Sequence, residues 1–163
     1  MKIIGIDPGL SSTGIGIVSG AGIDINGCSY GSIETSQKTS LPGRLHEIYS
    51  RLFGLLEVEK PDLMVIEDVF SLKQYPKSGI ILGHVSGVIL LAGRQIGMMT
   101  LEVPVREAKQ VLTGNGNATK MQLEKSVRNL LKLSSPIRPL HASDALGLAL
   151  IGLYRYGRRH CLK

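Results

Sequence analysis

Tryptophan is absent from this 163-residue chain, and aromatic residues of every kind make up 4% of it. That excludes a broad platform for stacking successive nucleic-acid bases, while leaving room for one or two wedge aromatics. Cysteine is nearly as scarce. Cys28 and Cys161 form no CxxC and no zinc-like Cys/His spacing, which excludes a disulfide scaffold and a zinc module; reduced thiols fit a cytoplasmic protein. The longest apolar run, residues 79–93, contains His84 and Ser86 and falls short of the ~20 residues of a membrane helix. Asp7 and Pro8 interrupt any hydrophobic signal core, so neither a signal peptide nor a membrane partner is expected. Repeats and low-complexity blocks are missing too. Acids are fewer than bases, 13 against 19, for a net charge of +6, a balance that suits a polyanionic partner.

What is present points to one folded unit. At 43% apolar residues over 163 positions, the chain is long enough for one core and short for two. We expect a single domain over residues 1–156 and a basic tail over 157–163. Residues 2–7, 13–19 and 25–34 are rich in Ile, Val and Gly and separated by turn residues, which predicts a meander of three antiparallel strands. Residues 42–59 carry Leu45, Ile48, Leu52, Leu55 and Leu56 at helical spacing. A short apolar run at 63–67 predicts a fourth strand, residues 70–77 a loop, and 78–95 a glycine-rich helix needing close packing against the sheet. Residues 98–103 predict a fifth strand. Helices are expected from Pro104 to Leu112, over 119–131 and over 142–154, with a Gly-Asn loop at 114–117. The order implies an α/β fold with a mixed sheet, the fourth strand beside the first.

Acids end the apolar elements. Asp7 ends the first strand and Glu67 the fourth; as parallel neighbours they emerge at one edge of the sheet, where open α/β sheets bind ligands. Asp68 alternates to the other face. His141 and Asp144, three residues apart at the start of the last helix, share a helical face. The stretch 141–144 also suits helix capping, through Ser143 or Asp144 in the first turn. Gathered without cations, Asp7, Glu67 and Asp144 would repel one another. Two Mg²⁺ ions some 3.5–4 Å apart relieve that, activate a water and stabilise the leaving oxygen of a phosphodiester.

GIDPG with the following Thr13-Gly14, Glu67 in VIEDVF, the stretch AKQVLTGNGNATK, and LLKL followed by HASDAL together resemble the RuvC-type Holliday-junction resolvases over residues 2–150. The resemblance implies a ribonuclease-H-like fold, a mixed five-stranded sheet flanked by helices. It implies a cytoplasmic homodimer that nicks four-way junction DNA in recombination and repair, with two Mg²⁺ per active site, and a branch-migration helicase complex of the RuvA and RuvB type as partner. Carried over by position, Asp7, Glu67, His141 and Asp144 are the catalytic and metal-binding set. Many members have Asp where this chain has His141, a residue suited to ligating a metal or taking a proton from water; imidazole also makes Mn²⁺ a substitute for Mg²⁺. Phe70 is the aromatic that stacks at the junction centre, although a phenyl ring packed under its own loop is the plainer reading of the residue alone. Lys109 and Lys120 match phosphate-contacting positions, against the default of solvated lysines. His84, on an apolar helix, is read as packed or interfacial.

Three other functions share these features. A related nuclease acting on RNA or simple DNA would show the same acids. An actin-like or sugar-kinase nucleotide domain opens similarly but needs roughly twice this length. A binding module with a dead site has no reason to keep uncompensated carboxylates together.

Overall fold

The structure, a computed structural model, describes residues 1–68 and 76–157. Strands β1 (Lys2–Asp7), β2 (Ser12–Ala21) and β3 (Asp24–Glu34) form the antiparallel meander. Helix α1 (Leu41–Glu59) carries the chain across to β4 (Leu63–Glu67), parallel to β1. Helix α2 (Pro76–Gln95) leads to β5 (Thr100–Val103), parallel to β4. The helices α3 (Val105–Thr113), α4 (Lys120–Leu130) and α5 (Leu140–Tyr156) follow. The sheet order is β3-β2-β1-β4-β5, the mixed five-stranded arrangement expected.

Several boundaries move, for local reasons. β2 and β3 extend to a tight turn at Gly22, whose φ of 61° suits glycine. β5 starts two residues late because Met98 N–H caps the preceding helix on the Gly93 carbonyl, with Gly97 at φ 72°. α2 takes in residues 76 and 77, assigned to a loop by composition; proline is tolerated in a first helical turn. α2 packs on the sheet through Val85, Ile89 and Ala92; nothing would meet a Cβ at Gly83 or Gly87, while Gly93 lies against Met64 and Thr100. His84 is exposed rather than packed. Of the predicted tail, Gly157 alone is described.

Alternation along the strands divides the core in two. Ile4, Ile6, Ile15, Ile17, Met64 and Ile66 face α1 and α2, against Ile48, Leu52, Val85 and Ile89. Ile3, Val18, Leu63 and Val65 face the other way, against α5 and the helices beyond it. On that second face β1 and β2 carry glycine. A Cβ at Gly5 would overlap the Ala145 carbonyl, one at Gly14 the His141 carbonyl, and one at Gly16 would lie 2.5 Å from Leu146 N. The backbone of α5 therefore rests almost directly on the sheet.

Candidate active site

The alternation that buries Ile3, Val65 and their neighbours under α5 sends Asp7 and Glu67 to the same face at the carboxyl edge. Ile6 pairs with Ile66 in register, so the two acids are the next residues on adjacent strands. Over them lies the first turn of α5, lowered by Gly14. His141 Nδ1 stands 2.6 Å from Asp7 Oδ2. Asp7, His141 and Asp144 each offer a ligand atom, all within 4.8 Å of one another. Ser143 and Asp144 do not cap the helix: α5 begins at Leu140 after Pro139 with no side-chain cap, and Ser143 Oγ donates to the Leu140 carbonyl. Helix capping therefore does not account for these residues.

Each acid is neutralised differently. Asp7 has the imidazole. Asp144 accepts an ion pair from Lys120 Nζ at 3.0 Å; Lys120 opens α4 just after a capping box between Thr119 and Gln122. Glu67 is held by a proton. Burial first, then the Asp7 charge and a hydrogen bond to Asp7, push its carboxyl from an ordinary 4.5 up to about 9. Asp144 is raised by burial, partly offset by Lys120. His141 is raised, chiefly by its hydrogen bond to Asp7. Burial alone would lower Lys120, but Asp144 holds it above its usual value. Glu67, Lys109, Lys120 and Asp144 line one cavity of about 100 Å³. A donor set of carboxylates and one imidazole, with a proton and an ammonium filling in among them, fits divalent cations.

Three of these raised values, on Glu67, Asp144 and His141, have one sign consequence. Between pH 4.5 and about 9 the folded protein holds a proton on Glu67 that the unfolded chain has lost, so stability falls as pH rises. Asp144 acts in the same direction, and His141 contributes stability that is lost as pH climbs through its raised value. In EDTA the melting temperature should drop from pH 6 to pH 9, and added Mg²⁺ should raise it more at pH 9, where Glu67 gives up its proton more readily. Melting curves at both pH values check this; a pH-independent curve in EDTA would contradict the assignment.

The structure brings together Asp7, Glu67, His141 and Asp144 and sets Lys109 and Lys120 beside them. Phe70 lies outside the described residues. Thr13 serves the turn after β1, its hydroxyl donating to the Gly9 carbonyl at 2.8 Å. One residue at this edge escaped the sequence reading: Arg44, 9% exposed. It lies in phase with Ile48, Leu52 and Leu56, so a cation on the buried stripe of α1 was the available signal.

A family model described as crossover junction endodeoxyribonuclease RuvC matches residues 3–152. A protein of that name from Rhodopirellula baltica is 37% identical over 152 residues, 93% of this chain and 85% of the relative. One from Thermosipho melanesiensis is 39% identical over 149 residues, 91% and 94% of the two chains. The solved structure of Thermus thermophilus RuvC in complex with a Holliday junction substrate superposes with a TM-score of 0.88 at 28% identity, covering 98% of this chain and 96% of the other. Among the described residues no helix is long and apolar enough to cross a membrane.

Proposed function

The chain belongs to the RuvC family of crossover junction endodeoxyribonucleases, metal-dependent hydrolases that resolve Holliday junctions, and from the site geometry we propose that Asp7, Glu67, His141 and Asp144 carry that reaction. The observation that carries the assignment is the convergence of Asp7, His141 and Asp144 within 4.8 Å from opposite ends of the chain. Two Mg²⁺ ions, with Mn²⁺ as a substitute, supply water activation and stabilisation of the leaving oxygen when bound there. Asp7 holds the Nδ1 side of His141 and leaves Nε2 as its basic atom, available to a cation or to a water proton. Glu67 becomes a ligand by releasing its proton, and Lys120 leaves Asp144 to do the same. Freed, Lys120 joins Lys109 at the rim of the shared cavity, and both contact DNA phosphates. Phe70, three residues past β4, stacks at the junction centre.

Residues 1–156 act as one nuclease domain, with 157–163 as a basic tail. A two-fold junction calls for a two-fold dimer with active sites on opposed strands. The exposed Ile80 and Leu91 of α2, with the open Gly83 and Gly87, supply a face for it. A branch-migration helicase complex of the RuvA and RuvB type is the partner assembly, and the cytoplasm is the compartment.

The test is cleavage of a synthetic four-way junction labelled on each strand, in Mg²⁺, Mn²⁺ or EDTA, beside duplex DNA and an RNA–DNA hybrid. Symmetric nicks on the junction alone, lost in EDTA and uncoupled by dilution below the dimer range, are expected. Cutting of the duplex or hybrid instead would favour a simpler nuclease on the same site.

A further inference from the structure

Arg44 projects from the first turns of α1 into the space behind the turn that follows Asp7. Its Nε donates to Thr35 Oγ1 at 2.8 Å and one Nη to Ser11 Oγ at 2.9 Å. Thr35 Oγ1 in turn donates to the Leu10 carbonyl at 2.5 Å, and Thr35 N–H to the Ser11 carbonyl at 3.1 Å. Every partner is neutral. Among the described residues no carboxylate lies within ion-pair distance of Arg44. Glu34, the acid at the end of β3, is held by the Ser12 and Ser32 hydroxyls. A guanidinium nine-tenths buried with no counter-charge is an anomaly, because buried charges are ordinarily paired. Its other Nη is neither bonded to the described residues nor sealed from solvent, since Ser86 Oγ is the only fully buried unpartnered side-chain polar atom among the described residues.

The place explains the charge. Asp7 at the end of β1, Ser12 at the start of β2 and Glu34 at the end of β3 share one edge of the sheet. The field of His141 reaches Glu34 and helps lower its carboxyl, after the Ser12 and Ser32 hydroxyls. The turn that carries Ser11 follows directly on Asp7, so the guanidinium bonded to Ser11 Oγ lies at the same edge of the sheet as the acid. We propose that Arg44, with the Ser11 and Thr35 hydroxyls, is a second phosphate subsite that binds one non-scissile phosphodiester of the cut strand and so sets the register of the scissile one. This rests on the junction-cutting assignment above.

The experiment combines Arg44→Met and Arg44→Lys with junctions carrying a single neutral methylphosphonate, moved one step at a time along the cut strand, with binding read by anisotropy in EDTA. In the wild-type chain one position away from the nick should weaken binding about tenfold. Arg44→Met should lose that sensitivity and lower the salt slope of binding by about 1. Arg44→Lys keeps the charge without the fork, so it should keep the slope even where its melting temperature falls. If no methylphosphonate position distinguishes Arg44→Met from wild type, or if the slope follows melting temperature rather than charge across both variants, Arg44 is only a strap and the subsite is overturned. If Arg44→Met does not fold, Arg44→Lys decides: without the fork the sensitivity to that one methylphosphonate should shrink while the slope stays, and an undiminished sensitivity overturns the subsite. A wild-type chain that fails to bind the junction at all overturns the assignment beneath it instead.

Discussion

Replacing Asp7 with Asn should lower the rate of junction cleavage by on the order of 10³-fold or more while leaving junction binding in place. Asn matches Asp in shape, and the site around it is rigid: the strand backbone is paired on both sides, and α5 rests on the sheet above. The amide oxygen can still accept from His141 Nδ1, so the imidazole keeps its position. What disappears is a charge in a buried place, where a neutral oxygen is a far weaker cation ligand. Several kcal/mol of transition-state stabilisation go with it. A second readout separates this from damage to the fold. The Asp7 charge and its hydrogen bond are, after burial, what hold the Glu67 proton on; without them Glu67 ionises at lower pH, and the decline of melting temperature with pH becomes shallower. Single-turnover cleavage, anisotropy and melting curves measure the three effects. A rate within tenfold of wild type would remove Asp7 from the mechanism.

Gly5→Ala should damage the fold itself. The added Cβ overlaps the Ala145 carbonyl and lies 2.7 Å from Ala149 N. Both are backbone atoms of one helix, so no rotamer change relieves the contact. Overpacking ordinarily destabilises by about 1–3 kcal/mol, and a backbone collision belongs at or above the top of that range. For a chain of this size that is a melting temperature lower by about 6–12 °C or more. Lifting α5 would also carry His141 and Asp144 away from Asp7 and Glu67, so metal-induced stabilisation should shrink with it. Gly31→Ala provides the contrast. Nothing lies within 4 Å of a Cβ there, on the edge strand, and the melting temperature should barely change. If the two variants melt alike, α5 does not sit where the structure places it.

Much of this was legible from residue order. The strand-ending acids fall where alternation puts them, and the apolar runs mark all five strands. Asp7 and Glu67 needed only two facts, parallel neighbours and period two. His141 and Asp144 needed the helical period, although capping competed until Pro139 proved to be the first residue outside the helix and Asp144 proved to be paired with Lys120. What was not legible depends on contacts across long separations. Lys120 reads as a solvated lysine beside a Gly-Asn loop, and nothing within 24 residues announces its carboxylate. Arg44 was missed although it is in phase with Ile48, Leu52 and Leu56, and its hydroxyl partners come from two turns no local pattern ties to α1. α2 packs against the sheet as its low intrinsic propensity required, through Val85, Ile89 and Ala92; that Gly83 and Gly87 open outward was not legible, because a periodic run does not say which side of a helix the sheet will take.

The His141–Asp7 contact joins residues 134 positions apart, and that separation has a meaning in time. Synthesis at about 5–20 residues per second takes roughly 7–27 s to cover it. Throughout that interval the emerging polypeptide already holds β1 and Asp7 and has nothing to complete the centre with. The glycine seam that receives α5 stays open until that helix leaves the ribosome. On the proposed assignment of Asp7, Glu67, His141 and Asp144, a nascent chain holds only the first two of the four groups until α5 is made, so assembly order itself would delay activity.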